Sequence, residues 1–268
     1  MTTNNVQKIL QRLRQAKKQD PGLAEVVDLH HDLIEAQEHV KALLSYPERD
    51  EKEAQAQLGR GVPLLYSQEI TLDWDAFSDL YKQVCRIAAQ HRPDLSTQFE
   101  GFLALPDDQV RALALAYLGD REGEGDREEL LAFVLNHALR PFLWGFAKAY
   151  APLVEQETWQ QGRCPVCGGE PDLAFLEHEP VSRHLVCSRC DSQWLYPRIK
   201  CPFCDNNDPH KLSYYPSKDE AYRVYTCENC RRYLKAVDTR KAKRRVLFSV
   251  ERITTVALDI AAREQGYR

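Results

Sequence analysis

The 268-residue chain reads as an α+β protein: an all-α bundle, then two small cysteine-pinned β modules, then a C-terminal helix. Three observations predict this. Apolar residues recur at three- and four-residue intervals through the first 160 positions, and eight of nine cysteines form four Cys-x-x-Cys pairs between 164 and 230. The stretches between those pairs alternate apolar and polar residues, with many tyrosines and valines. The expected boundaries are 1–160 for the helical domain, 161–198 and 199–238 for the β modules, and 239–268 for the final helix.

Taken in order, Val6, Ile9, Leu10 and Leu13 mark a first helix that Pro21 and Gly22 stop. Leu23, Val26, Val27, Leu33, Ile34, Val40, Leu43 and Leu44 continue in a second, ending before Pro47. Gly59 to Leu65 is an apolar segment between polar ones, either a core anchor or a docking loop. Trp74, Phe77, Leu80, Tyr81, Val84, Ile87 and Ala88 form an apolar stripe that ends before Pro93, and Cys85 on it reads as a small core residue. Val110 to Leu118 is a further helix. Asp120 to Glu129 is an acidic, Gly-containing connection in which Asp126 and Glu129 are spaced as a capping box. Leu130 to Val154 is the most apolar stretch, with Pro141 and Pro152 each expected to kink or end a helix. Its His137, Arg140 and Lys148 argue for a buried bundle helix.

Hydrophobic residues make up 43% and charged ones 28%, which excludes disorder and fibrous repeats. The longest purely apolar run, Ala112–Leu118, has seven residues, so no membrane insertion is expected. The N-terminus lacks an apolar core of the secretory type, so a cytoplasmic location is expected. Net charge is −9 over residues 1–160, zero over 161–238 and +5 over 239–268.

The pairs are Cys164/Cys167, Cys187/Cys190, Cys201/Cys204 and Cys227/Cys230. Two intervening residues let a tight turn aim both sulfurs at one ion, and two such turns supply a tetrahedral tetrathiolate site suited to zinc or iron. Nineteen residues separate Cys167 from Cys187 and 22 separate Cys204 from Cys227, room for a hairpin in each gap, as in a zinc ribbon or rubredoxin. Ten separate Cys190 from Cys201. Sequential pairing is expected, since each hairpin then returns to its own site with little loop-closure cost, the alternative being a crossed arrangement in which the first and third pairs share an ion. Two metal ions per chain, iron or zinc, are therefore expected on these eight residues, with Cys85 excluded. A structural tetrathiolate metal supplies roughly 10–16 kcal/mol of apparent binding energy, more than an apolar core of such a module could. The competing reading is a redox dithiol in one or more pairs.

Between the knuckles lie Trp194, Tyr196, Phe203, Tyr214, Tyr215, Tyr222, Tyr225 and Tyr233. They read as packing over the sulfurs in preference to a platform for bases, because a nucleic-acid module usually carries a basic surplus. His178, His184 and His210 read as surface residues, since the cysteines already complete both ligand sets. Val250 to Arg263 returns to helical spacing through Ile253, Val256, Ala257 and Ile260. The basic run Arg240 to Arg245 reads as a solvated face. No Walker A, His-Glu-x-x-His or Gly-x-Ser-x-Gly pattern occurs, and a binding protein is expected instead of an enzyme.

Cys164-Pro-Val-Cys-Gly168, Cys187-Ser-Arg-Cys-Asp-Ser-Gln-Trp194, Arg198-Ile-Lys-Cys201, and Cys227-Glu-Asn-Cys230 followed by Tyr233-Leu-Lys235 resemble the formate dehydrogenase accessory protein family, FdhE. Leu258-Asp-Ile-Ala and Glu264-Gln-Gly-Tyr267 look like that family's C-terminal helix. The resemblance implies a cytoplasmic accessory protein, chaperone-like, that binds the catalytic subunit of a formate dehydrogenase before export and carries iron in rubredoxin-like sites. Oligomer formation is left open. Two alternatives remain at this level: a nucleic-acid-binding zinc-ribbon protein and a thiol redox or sulfur-transfer enzyme.

Overall fold

The computed structural model describes residues 3–40, 47–65, 70, 72–119, 126–156, 158–177, 181–242 and 244–268. They form two compact units, Met1–Glu48 with Gln68–Ala149, and Arg49–Ser67 with Tyr150–Arg268. The division differs from one boundary at residue 160. Residues 49–67, expected among the helices, belong with the cysteine-bearing unit.

The first unit is helical: α1 Thr3–Gln19, α2 Ala24–His39, α4 Trp74–His91, α5 Ser96–Leu103, α6 Asp107–Leu118 and α7 Asp126–Tyr150, of which all but Tyr150 lies in this unit. Asp73 caps α4 by accepting from the Ala76 N–H at 3.0 Å. Helix α4 then buries Phe77, Leu80, Tyr81, Val84, Cys85 and Ala88, the expected stripe except for the half-buried Trp74 and Ile87. Sequence spacing missed α5, whose Phe99 and Phe102 are buried. The expected extension of α2 through Leu43 and Leu44 lies outside the described residues, as does the side chain of Asp126 in the expected capping box.

Of the two outcomes expected at each proline, an end occurs at Pro152 alone: helix α7 runs through Pro141 and stops where a 3₁₀ turn takes over at Ala151–Leu153. By length and composition alone, Glu128–Leu153 would suffice to cross a membrane, which counting purely apolar runs did not register. Half of its most apolar window is buried. That window includes the half-buried His137, whose carbonyl accepts from the Gln37 side chain at 2.8 Å and whose ring is edge-on to that of His30 at 5.6 Å.

The second unit holds α3 Glu51–Gly59 and a six-stranded sheet of β1 Pro171–Glu177, β2 Ser182–Cys187, β3 Gln193–Leu195, β4 Leu212–Pro216, β5 Tyr222–Cys227 and β6 Arg232–Asp238. The strand order is β3-β2-β1-β6-β5-β4. Neighbours are antiparallel except β1 and β6, which pair in parallel from Leu173/Lys235 to Leu176/Asp238. The two expected modules are thus two antiparallel halves of one sheet. Both joining strands are buried along most of their length, so the junction is the sheet's centre.

The expected final helix is two, α8 Phe248–Thr254 and α9 Val256–Glu264. The Thr255 hydroxyl donates to the Glu251 carbonyl at 2.6 Å at the break. The break changes which residues face inward: Val250, Ile253, Ala262 and Tyr267 are buried, whereas Ile260 is 54% exposed. Phe248 packs on Leu173, Phe175, Val186 and Val237, and Leu258 packs on the cluster of Val224, Ala262 and Tyr267.

Candidate metal centres

Each Cys-x-x-Cys turn is built the same way. The residue after the second cysteine has a left-handed backbone, with φ of +75° at Gly168, 61° at Asp191, 56° at Asp205 and 56° at Arg231. Its N–H donates to the carbonyl of the first cysteine at 3.0, 3.3, 3.0 and 2.8 Å respectively. The chain therefore reverses immediately after each pair, leaving both sulfurs on the inside of the turn. Only the first turn uses glycine. The other three accept the steric cost of a side chain there, of order 1–2 kcal/mol each.

The eight sulfurs gather as two sets, Cys164, Cys167, Cys187, Cys190 and Cys201, Cys204, Cys227, Cys230, each with all four sulfurs within 4.8 Å of one another. This is the sequential grouping. In the first set, Cys164–Cys190, Cys167–Cys187 and Cys167–Cys190 are 3.5, 3.4 and 3.4 Å apart. In the second, Cys201–Cys230 and Cys204–Cys227 are both 3.7 Å apart. A tetrahedron with metal–sulfur bonds of ~2.3 Å has edges of ~3.8 Å, so the spacing fits one four-coordinate ion per set. Donors already face the sulfurs: the Arg189 N–H to Cys187 at 3.4 Å, the Asn229 amide to Cys204 at 3.5 Å and the Asn206 amide to Cys227 at 3.9 Å.

The two sets differ in access. All four cysteines of the first are buried, whereas Cys204 and Cys230 of the second are half-buried. Thiol acidity does not follow access, since each set has thiols pushed up and one brought down. Burial holds Cys164 and Cys190 well above the ordinary thiol value, and hydrogen bonding to Cys164 and Cys187 does so for Cys167. Burial opposes ionisation of Cys187, but hydrogen bonds from Cys164, Cys167 and Cys190 outweigh it and bring this thiol down. In the second set burial pushes Cys201 up. Against a smaller desolvation, the Asn206 N–H, the Asn229 amide and the neighbouring thiols bring Cys204 down to about 7. A cation entering either set displaces thiol protons, so its affinity rises with pH.

Cys85 lies elsewhere, buried in α4, its thiol pushed up to about 12 by burial. His184 stacks on Phe175 at 4.8 Å and sits 3.4 Å from Glu177; His210 is exposed in the 3₁₀ turn before β4; His178 lies outside the described residues. Trp194 and Tyr196 are buried, and the Tyr196 hydroxyl donates to the Cys201 carbonyl at 3.1 Å, which is packing; Tyr214 and Tyr215 are exposed.

Sequence spacing did not foresee the support of the first centre by residues before 160. Leu64 and Leu65 donate backbone N–H groups to the carbonyls of Pro165 and Val166 at 2.9 and 2.8 Å, inside the first turn. Arg49 holds that segment from behind, donating to the Leu64 carbonyl and, at 2.7 Å, to Gln57. Gly59 to Leu65 is therefore an internal anchor of the cysteine unit, with Leu64 and Leu65 buried.

The profile described as "FdhE, central domain" matches residues 163–198, the first cysteine set with strands β1 to β3. "Protein FdhE homolog" of Aquifex aeolicus is 30% identical over 250 residues, covering 91% of this chain and 83% of that protein. A protein of the same name from Pectobacterium atrosepticum is 27% identical over 184 residues, 60% of this chain and 58% of that one. The crystal structure of the FdhE protein from Pseudomonas aeruginosa shares the fold, with a TM-score of 0.68 at 20% identity over 100% of this chain and 94% of that one. With nearly full-length similarity at that identity, the chain belongs to the FdhE family.

Proposed function

We propose that the protein is a cytoplasmic accessory factor for formate dehydrogenase maturation, binding the enzyme's catalytic subunit and holding two metal ions. The observation that carries this reading is the pair of tetracysteine sets in a chain of the FdhE family. Cys164, Cys167, Cys187 and Cys190 hold one ion, and Cys201, Cys204, Cys227 and Cys230 the other. Bound there, iron or zinc supplies a rigid cross-link between turns. This chain's own residues do the rest: the left-handed positions fix the sulfurs, the amide donors stabilise thiolate charge, and the shared sheet joins both centres into one docking body. The exposed Tyr214 and Tyr215 on the edge strand β4 offer it a contact surface. The absence of a catalytic motif in the sequence supports a binding role over an enzymatic one.

The test is affinity capture of the full chain from native cytoplasm, with metal analysis of the anaerobically purified protein. Recovery of a molybdenum or tungsten formate dehydrogenase subunit, with two metals per chain, is the expected result. Recovery of nucleic acid without such a subunit, with salt-sensitive binding, would replace this reading with the zinc-ribbon one.

A further inference from the structure

The fourth cysteine turn, Cys227 to Arg231, is gripped from outside by the segment that follows α9. Gly266, with φ +79°, ends that helix: its N–H donates to the Arg263 carbonyl at 2.8 Å, and the Tyr267 N–H donates to the Ala262 carbonyl at 3.1 Å. The reversal carries Tyr267 back onto Val224 and Ala262, where it is buried. Four contacts with the turn result. The Arg268 N–H donates to the Arg231 carbonyl at 2.8 Å, and the Arg231 guanidinium donates to the Gln265 carbonyl at 3.0 Å. That guanidinium lies 4.2 Å from the centroid of the Tyr267 ring, and the Tyr267 hydroxyl donates to Glu228, inside the Cys-x-x-Cys loop.

Arg231 is also the residue on which the turn's geometry depends. Its left-handed backbone lets its N–H close on the Cys227 carbonyl at 2.8 Å, which keeps the Cys227 and Cys230 sulfurs on the inside. An ion on those sulfurs therefore holds Arg231 from one side, and Gln265–Arg268 holds it from the other. Cys230 is half-buried, so this turn depends on such outside support more than the sealed first centre does. Two partners that favour the same state of one element strengthen each other's hold by the same factor.

We propose that Gln265–Arg268 is a latch that reads the occupancy of the second metal centre: it docks on the fourth turn while the ion is held and lifts when the ion leaves. Lifting uncovers Val224, the cross-strand neighbour of the exposed Tyr215, so loss of the ion enlarges the apolar surface at that edge of the sheet. The inference rests on the metal reading of the second cysteine set, and its test separates the two.

The test follows amide hydrogen exchange by NMR in the full chain loaded with zinc, before and after a chelator has emptied the more accessible second centre. Bound zinc, measured on the same samples, reports the metal reading. The Arg268 and Tyr233 amides report the latch, since Arg268 donates to Arg231 and Tyr233 donates to the Arg268 carbonyl at 3.3 Å. Both should exchange about tenfold faster once the second ion is gone, while the amides of β5 stay protected. In the loaded chain, Tyr267→Ala should speed zinc release from the second centre by about the same factor and leave release from the first unchanged. Tyr267→Phe, which keeps the ring on Arg231 and loses only the bond to Glu228, should fall between. Unchanged Arg268 and Tyr233 exchange, exchange that spreads through β5, or unaltered zinc release in both variants overturns the latch and leaves the metal reading standing. A chain that binds a single zinc ion overturns both.

Discussion

Arg252 of α8 donates to Asp191, the left-handed residue that closes the second cysteine turn, at 2.6 Å. The same guanidinium donates to the Cys187 carbonyl at 2.8 Å and to Asp172 of β1 at 2.7 Å. One half-buried side chain thus ties the C-terminal helix to a turn that positions two sulfurs. Coulombic attraction to both aspartates outweighs desolvation and holds its charge firmly.

Arg252→Ala should therefore cost about 1.5–3 kcal/mol, because it leaves the half-buried Asp191 carboxylate and the Cys187 carbonyl without their donor, while the more exposed Asp172 can turn to water. Urea unfolding read by near-UV circular dichroism measures the loss, and metal analysis should show the first centre depleted before the second. A change under about 1 kcal/mol would mean that water replaces the guanidinium.

Metal should leave the two centres at different rates. The first set is sealed, whereas Cys204 and Cys230 admit solvent, so a chelator or a competing proton reaches the second set first. Treatment with a chromogenic chelator at neutral pH should release metal in two phases of equal amplitude. Cys204→Ser with Cys230→Ser should abolish the fast one. A single phase, or a fast phase that survives that double change, contradicts the assignment.

The cysteine spacing made both centres legible because a Cys-x-x-Cys turn is a local device, and the hairpins follow from period-2 patterning. What held the unit together was not legible in the same way. The parallel pairing of β1 with β6 joins residues some sixty positions apart, and no local signal specifies it. The Gly59–Leu65 anchor was visible as an apolar segment, but its partner, the first cysteine turn, lies a hundred residues on. The last helix divides at Thr255, with α8 against β1 and α9 against β6, and tertiary packing of this kind overrides a helical pattern this short.

Two glycines should respond in opposite ways. Gly168 has φ +75°, but an added Cβ meets only Pro63 Cγ at 3.4 Å, and the equivalent positions of the other turns carry Asp191, Asp205 and Arg231. Gly168→Ala should cost about 1–2 kcal/mol and keep the first centre. A Cβ on Gly162 would lie 1.8 Å from the backbone oxygen of Pro202, within the third cysteine turn. Gly162→Ala must displace that turn and should weaken metal retention at the second centre, read by the fast chelator phase. Equal effects of the two changes would show that neither contact governs its turn.

The helical unit should weaken in mild acid through His30 and His137. Burial lowers both ring pKa values, that of His137 strongly, and the proximity of Arg140 lowers them further. Above their ordinary value of about 6.5 both rings are neutral in either state and contribute nothing to the pH dependence. Below it the unfolded chain binds protons that the folded unit refuses, so stability falls as pH drops toward the folded values. The slope reaches about 1.4 kcal/mol per pH unit for each ring, or about 2.7 for the pair. His137→Gln keeps a polar side chain in the space beside Gln37 and removes one of these titrations. Its stability at pH 7.5 can be lower than that of the parent, but between pH 6.5 and 5 its urea midpoint should fall with a visibly shallower slope. An unchanged slope in the double variant with His30→Gln would assign the acid sensitivity to other groups.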